Sequence, residues 1–85
     1  NHCIILPNTT IGHDSVLEDY CCIGANVAVS GAVTIKSGCY IGSGTTIREN
    51  IIIEEQSLVG IGSNVIANIN KGVIVAGNPA RLIHT

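Results

Sequence analysis

Eleven aliphatic residues recur every six positions along this chain: Ile5, Ile11, Leu17, Ile23, Val29, Ile35, Ile41, Ile47, Ile53, Val59 and Val65. Ile, Leu and Val fill 27 of the 85 positions, so eleven consecutive coincidences have a chance probability on the order of 10⁻⁵ even with all six phases allowed. The spacing is neither the 3.6 of a helix nor the 2 of a plain strand. It suits a parallel β-helix in which each hexad supplies a short strand and a corner, and three hexads close one triangular coil. Residues 18 apart then stack about 4.8 Å from one another and must share a steric environment.

The columns obey that demand. Three residues after the beat, one corner reads Asn8, Asn26, Gly44 and Gly62, the residue types that tolerate positive φ where a chain turns sharply. Four after the beat, Cys3, Cys21, Cys39 and Ser57 form a column of small side chains. An outward column of Glu18, Lys36 and Glu54 places opposite charges next to each other. No helix is needed before about residue 66. Residues 1–70 are expected to form the β-helix, incomplete at its N-terminal end, and residues 71–85 a closing segment that turns at Lys71-Gly72.

A single small domain of this length would be marginal with one conventional core, but a solenoid gains stability coil by coil. The composition fits a narrow aliphatic interior: 46% hydrophobic, with Tyr20 and Tyr40 the only aromatics and no Phe, Trp or Met. Four basic residues and a net charge of −2 give no footprint for nucleic acid or an anionic membrane. No apolar stretch approaches the roughly 20 residues of a membrane span, and no signal segment opens the chain, so a cytoplasmic location is the default.

The cysteines lack ligand spacing for a metal, and none is expected; Cys3, Cys21 and Cys39, one coil apart, read as inert interior residues. Cys22 precedes the beat residue Ile23 and should face outward. The chain opens inside a strand, Cys3-Ile4-Ile5, with nothing to cap that end, which predicts a preceding coil or domain.

The hexads, each an aliphatic residue, a small or acidic one, two variable ones, a small one and one more, resemble those of the hexapeptide-repeat acyltransferases. The tail Val73-Ile74-Val75-Ala76-Gly77-Asn78-Pro79-Ala80-Arg81 is similar to that superfamily's C-terminal signature. The fold this implies is a left-handed parallel β-helix with three hexads per coil. Within the superfamily, Ile11-Gly12-His13-Asp14-Ser15-Val16-Leu17-Glu18-Asp19-Tyr20, continued by Ile23-Gly24-Ala25-Asn26 through Ser30-Gly31, resembles the stretch carrying the catalytic histidine in the sialic acid O-acetyltransferase and bacterial sugar-nucleotide N-acetyltransferase group. Members of that group usually carry an N-terminal Rossmann-like domain before this β-helix.

On spacing alone His13-Asp14 reads first as a polar corner, since a His-Asp dipeptide is common in loops. The resemblance implies more: an acetyl-CoA-dependent acyltransferase acting on a sugar or sugar nucleotide, with His13 as general base and Asp14 orienting its imidazole. His13 should leave the coil near a corner. Gly31, one coil later, would leave room there for the coenzyme's thioester arm, which in the family lies between two subunits of a homotrimer. Outward apolar residues such as Ile4, Val16, Ile52 and Leu58 suit such an assembly. For coenzyme A the resemblance points to Cys22, Gly31, Ser43 and Gly60, with Lys71 and Arg81 as candidates for its phosphates. Two departures stand out: Cys22 occupies a position where some relatives have a second histidine, and Leu6 one where relatives often have an acceptor-contacting Asn.

Three other readings compete. A zinc-dependent carbonic anhydrase of this fold needs histidines close in sequence, and His2, His13 and His84 do not supply them; His2 and His84 read as incidental. A structural or interaction β-helix would have no reason to place Gly31 beside His13. Acetyltransferases of the serine or maltose type remain within the same class.

Overall fold

The computed structural model describes residues 2–84, His84 by its backbone only. The chain winds as a triangular prism. The first coil comprises β1 (Ile4–Ile5), β2 (Thr10–Ile11) and β3 (Val16–Leu17); the second β4 (Cys22–Ile23), β5 (Ala28–Val29) and β6 (Thr34–Ile35); the third β7 (Tyr40–Ile41), β8 (Thr46–Ile47) and β9 (Ile52–Ile53). A fourth opens with β10 (Leu58–Val59) and β11 (Asn64–Val65), and β12 (Ile74–Ala76) and β13 (Arg81–His84) follow. Stacking produces a first face ordered β1-β4-β7-β10-β12-β13, a second ordered β11-β8-β5-β2 and a third of β3-β6-β9. Pairing is parallel and in register at 18 residues, as in Ile5↔Ile23, Ile23↔Ile41 and Ile41↔Val59.

Alternation within each short strand decides what is buried. The beat residue points inward, its predecessor outward, and the residue before that inward again. Ile23, Ile35, Ile41, Ile47 and Ile53 are fully buried, and Val27, Val33 and Ile51 fill the second inward position. Where that second position is polar or a thiol, it caps a carbonyl that the corner removes from the sheet. Thr9 Oγ1 donates to Gly24 O at 2.6 Å, Ser15 Oγ to Ser30 O at 2.7 Å and Thr45 Oγ1 to Gly60 O at 3.2 Å. The cysteine column does the same: Cys3, Cys21 and Cys39 Sγ donate to the carbonyls of Glu18, Lys36 and Glu54 at 2.9, 3.1 and 3.0 Å. A small donor is therefore what the position selects, and no described side-chain nitrogen or oxygen is left buried without a partner.

The corners turn through positive φ on all three edges. Asn8, Asn26, Gly44 and Gly62 adopt it as their residue types predict, but so do Asp14, Ala32 and Asn50 on the second edge and Tyr20, Gly38 and Gln56 on the third. For Tyr20, Ala32 and Gln56 this conformation costs about 1–2 kcal/mol each, so the stacked ladder overrides local preference. On the outside, Lys36 Nζ lies 3.2 Å from Glu54 Oε1, which holds the ammonium above its ordinary range. Glu18 turns instead to the Ser37 N–H and Oγ, at 3.2 and 3.4 Å.

The beat shortens after Val65. Ile69, four residues on, bridges Ile53 and is buried, and Gly72 turns with φ 69°. Val75 then pairs with Val59 on the first face, and β13 folds back antiparallel on β12.

Ile41 sits in a complete coil with neighbours above and below, so Ile41→Ala should cost about 2–5 kcal/mol of unfolding free energy. Chemical denaturation measures it, and a loss under about 1 kcal/mol would contradict a close-packed interior.

Candidate functional site

His13 and Asp14 occupy the turn between β2 and β3, at the corner joining the second and third faces. The coil keeps the Ile11 and Leu17 side chains inside, so the intervening turn must project outward. Both side chains do, at 93% and 84% exposure, with His13 Nδ1 3.4 Å from Asp14 Oδ2. The positive φ of Asp14 brings its carboxylate alongside the imidazole that precedes it. This leaves Nε2 as the ring nitrogen facing away from the pair.

Gly31 lies directly beneath. The His13 carbonyl accepts the Ala32 N–H at 2.8 Å, and a Cβ built on Gly31 would stand 3.2 Å from that carbonyl oxygen. The glycine thus serves the stacking of the turns as well as leaving the corner bare. Its own N–H has no hydrogen-bond partner among the described residues. One coil further, the same turn position holds Glu49, beside Arg48 at 3.8 Å; neither was singled out by motif, although the 18-residue column leads to both.

The remaining candidates lie elsewhere on the prism. Cys22 is half-exposed on the first face, between Ile4 and Tyr40 in the stack. Ser43 sits at the corner joining the first and second faces, where its Oγ accepts the Ala25 N–H at 3.1 Å. Gly60 belongs to the same corner, and a Cβ there would fall 2.8 Å from that of Ala76; its equivalents Gly24 and Gly42 would clash at 2.5 and 2.6 Å. Close approach of coils explains all three glycines. The site residues therefore fall into two groups on a single chain, His13, Asp14 and Gly31 on one edge and Cys22, Ser43 and Gly60 around another, with the second face between them.

Lys71 lies at the turn beneath Glu55, whose carbonyl accepts the Gly72 N–H, and Arg81 pairs with Ala76 beside the Gly60 corner. Neither forms an ion pair among the described residues. Leu6 is exposed on that corner. His2 stacks on Tyr20 with ring centroids 5.1 Å apart, on the third edge and away from His13; the His84 side chain lies outside the described residues. Among the described residues no group of three or more His, Cys, Asp or Glu is arranged to hold a metal, and no helix is long and apolar enough to cross a membrane. A cavity of about 260 Å³ opens at the end of the aliphatic interior, lined by Val65, Ile69, Val75, Ala80 and Leu82 among others. No candidate site residue lines it.

Parallel two-residue strands, hexad corners and a stacked aliphatic column define a hexapeptide-repeat solenoid. Residues 1–31 and 15–49, together more than half of the chain, match the family described as bacterial transferase hexapeptide (six repeats), and the chain belongs to that family. Its fold is accordingly a left-handed parallel β-helix. Among solved structures, WeeI from Acinetobacter baumannii AYE is 32% identical, with 88% of this chain and 38% of that one covered and a TM-score of 0.85. LpxA from Acinetobacter baumannii is 29% identical over 98% of this chain and 32% of its own, with a TM-score of 0.96. PerB from Caulobacter crescentus, determined with CoA and GDP-perosamine, is 19% identical over 95% and 54%, with a TM-score of 0.82, and shares the fold. The chain thus spans about a third of the length of WeeI and LpxA. Comparison with curated proteins gave no match.

Burial pushes the Cys21 thiol up to about 11 and raises that of Cys39. At pH 8 this leaves Cys21 with roughly a hundredfold less thiolate than an ordinary thiol, since thiolate is the reactive form. Iodoacetamide should therefore label Cys22 in the folded chain well before Cys21 or Cys39. Peptide mass spectrometry separates the sites; equal labelling of Cys21 and Cys22 would contradict the buried column.

Proposed function

We propose that this chain is the β-helical part of an acetyl-CoA-dependent acyltransferase, a cytoplasmic homotrimer that acetylates a hydroxyl or amine of a sugar or sugar nucleotide. The observation that carries the reading is the exposed His13-Asp14 pair, 3.4 Å apart, above the bare backbone of Gly31. Family membership supplies the transferase class. The same fold in PerB holds CoA and a nucleotide sugar, which gives the proposed ligands a precedent on this framework.

In this mechanism His13 Nε2 takes the proton of the acceptor O–H or N–H as the acceptor attacks the thioester carbonyl carbon. Asp14 at Nδ1 fixes the tautomer and stabilises the imidazolium. The tetrahedral intermediate collapses with cleavage of the carbon–sulfur bond, and the imidazolium returns the proton to the departing thiolate. The free Gly31 N–H is the donor on this corner suited to the developing oxyanion, a role that a thiol at Cys22 would fill poorly. Holding acceptor and thioester together contributes the rest of the acceleration.

The division of the site supports a trimer. Cys22, Ser43 and Gly60 lie on a different edge from His13, so in one chain they do not meet the base; a threefold assembly that set the first-face edge of one subunit against the His13 edge of the next would bring them together. The outward residues Ile4 and Leu58 on the first face and Val16 and Ile52 on the third are 60%, 38%, 51% and 38% exposed. That is apolar surface for such contacts to cover.

His13→Ala should lower acetyl transfer by roughly 10²- to 10⁴-fold, the worth of general-base catalysis, with acetyl-CoA affinity nearly unchanged by calorimetry. A variant that keeps most of its turnover would remove His13 from the mechanism. Asp14→Asn should lower kcat less than His13→Ala does, with KM for acetyl-CoA nearly unchanged, because it disturbs the orientation of the base and not the donor. An unchanged kcat would argue against an orienting role.

A further inference from the structure

The aliphatic interior opens where the regular winding stops. On the second and third faces no strand follows β11 and β9 among the described residues, and Ile69 joins the third face only through its bridge to Ile53. The chain returns instead to the first face as β12, where Val75 pairs with Val59, and β13 folds back along it. Two sides of this layer are therefore left without a strand, and the cavity of about 260 Å³ occupies that space.

Its lining is graded in polarity. Ile69 and Val75, both buried, close the inner end, and Ala80 and Leu82 belong to the walls. The polar side chains of the lining are Asn68 and Asn70, both exposed, and no charged side chain joins them. Asn68 Oδ1 accepts the Ile52 N–H at 2.8 Å, which orients that amide and leaves its nitrogen as a donor. Neither side-chain nitrogen has a hydrogen-bond partner among the described residues. Ala80 keeps the space open. Its N–H donates to Asn64 O at 2.8 Å, which carries the chain across the end of the second face. Its methyl packs on the core, where a longer aliphatic side chain would fill the cavity.

An aliphatic space of this kind offers water few partners and favours an apolar occupant. An apolar cavity of about 150 Å³ takes up benzene, with six carbons; in proportion, 260 Å³ holds roughly ten. The rim adds amide donors and no charge, so the polar end of the occupant must accept hydrogen bonds. We propose that this cavity binds a medium-chain acyl group, its alkyl chain inside and its carboxylate or carbonyl oxygen held by the Asn68 and Asn70 amides. His13 lies in the first coil and the cavity beyond the fourth, more than three coil spacings of about 4.8 Å away. The bound chain is thus remote from the proposed base, and the site does not depend on acyl transfer.

The 85-residue chain titrated with sodium decanoate should show saturable binding of one decanoate per chain by calorimetry, and a higher melting temperature, as for any ligand of the folded state. Affinity should grow about fourfold per methylene from hexanoate upward and level off near decanoate. Ala80→Leu should weaken decanoate at least tenfold, with the unliganded melting temperature equal or higher because the cavity is filled. Asn68→Asp keeps an acceptor for the Ile52 N–H and replaces the donor by an anion. It should weaken decanoate about tenfold and decan-1-ol, whose hydroxyl can donate to the new carboxylate, much less. Methyl decanoate separates the sources: binding as tight as that of decanoate marks a site for an esterified acyl chain, weaker binding one for the free acid. No saturable binding by the wild-type chain, or undiminished binding by a folded Ala80→Leu chain, would overturn the proposal. Should Ala80→Leu fail to fold, Asn68→Asp decides alone: an unchanged affinity for decanoate, or an equal loss for decanoate and decan-1-ol, would overturn it.

Discussion

Backbone hydrogen bonds between successive coils fix the position of nearly everything else in this protein. The Cys22 N–H donates to Cys39 O at 2.9 Å and Gly24 N–H to Ile41 O at 2.8 Å, and the same pattern recurs on every face. Once each strand is locked to the next at 18 residues, the pleat dictates which side chains go inside. The interior accepts only aliphatic or small side chains that stack in columns, as Ile23 on Ile41 and Cys21 on Cys39. Stability is then distributed along the axis by nearest-neighbour contact instead of gathered at one centre.

The corners are where this arrangement costs free energy. Sharp turning takes carbonyls out of the ladder and forces residues such as Ala32 and Tyr20 into positive φ. Two local devices offset the cost: inward hydroxyls and thiols that reach those carbonyls, and glycines where one coil lies too close to the next for a Cβ. The same geometry makes the turns a natural place for chemistry, because there the backbone holds two adjacent side chains outside the prism, as at His13 and Asp14, and repeats such positions at a fixed axial interval. His13, Gly31 and Glu49 are spaced by that interval.

Much of this was legible in the sequence. The beat gave the strands, their register and the inward column, and the Asn8 column identified one edge. The two other edges were harder to read because their tolerant residues, Asp14, Asn50 and Gly38, are interrupted by Ala32, Tyr20 and Gln56, types with no preference for positive φ on which the ladder imposes it. The shortened last coil was hidden too, since Ile69 falls off the six-residue phase yet is buried beneath Ile53. For the candidate site, His13 and Asp14 were singled out by resemblance, and their outward projection was legible from the phase. That Gly60 is held by packing against Ala76 depends on the separation of coils at a corner, which residue types do not encode. The division of the candidates between two edges needed only their positions modulo 18, and the same arithmetic leads from His13 to Glu49.

Each strand offers one residue to the outside between two committed to the interior. The three outward columns accordingly differ: Ile4, Cys22, Tyr40, Leu58 and Ile74 on the first face, Thr10, Ala28, Thr46 and Asn64 on the second, Val16, Thr34 and Ile52 on the third. The inner columns on the six-residue beat hold the same aliphatic character on all three. A scaffold of this kind can be re-surfaced one side at a time. Changing what a side presents leaves its spine untouched, so new neighbours and new ligands are open to sequence change without a new fold.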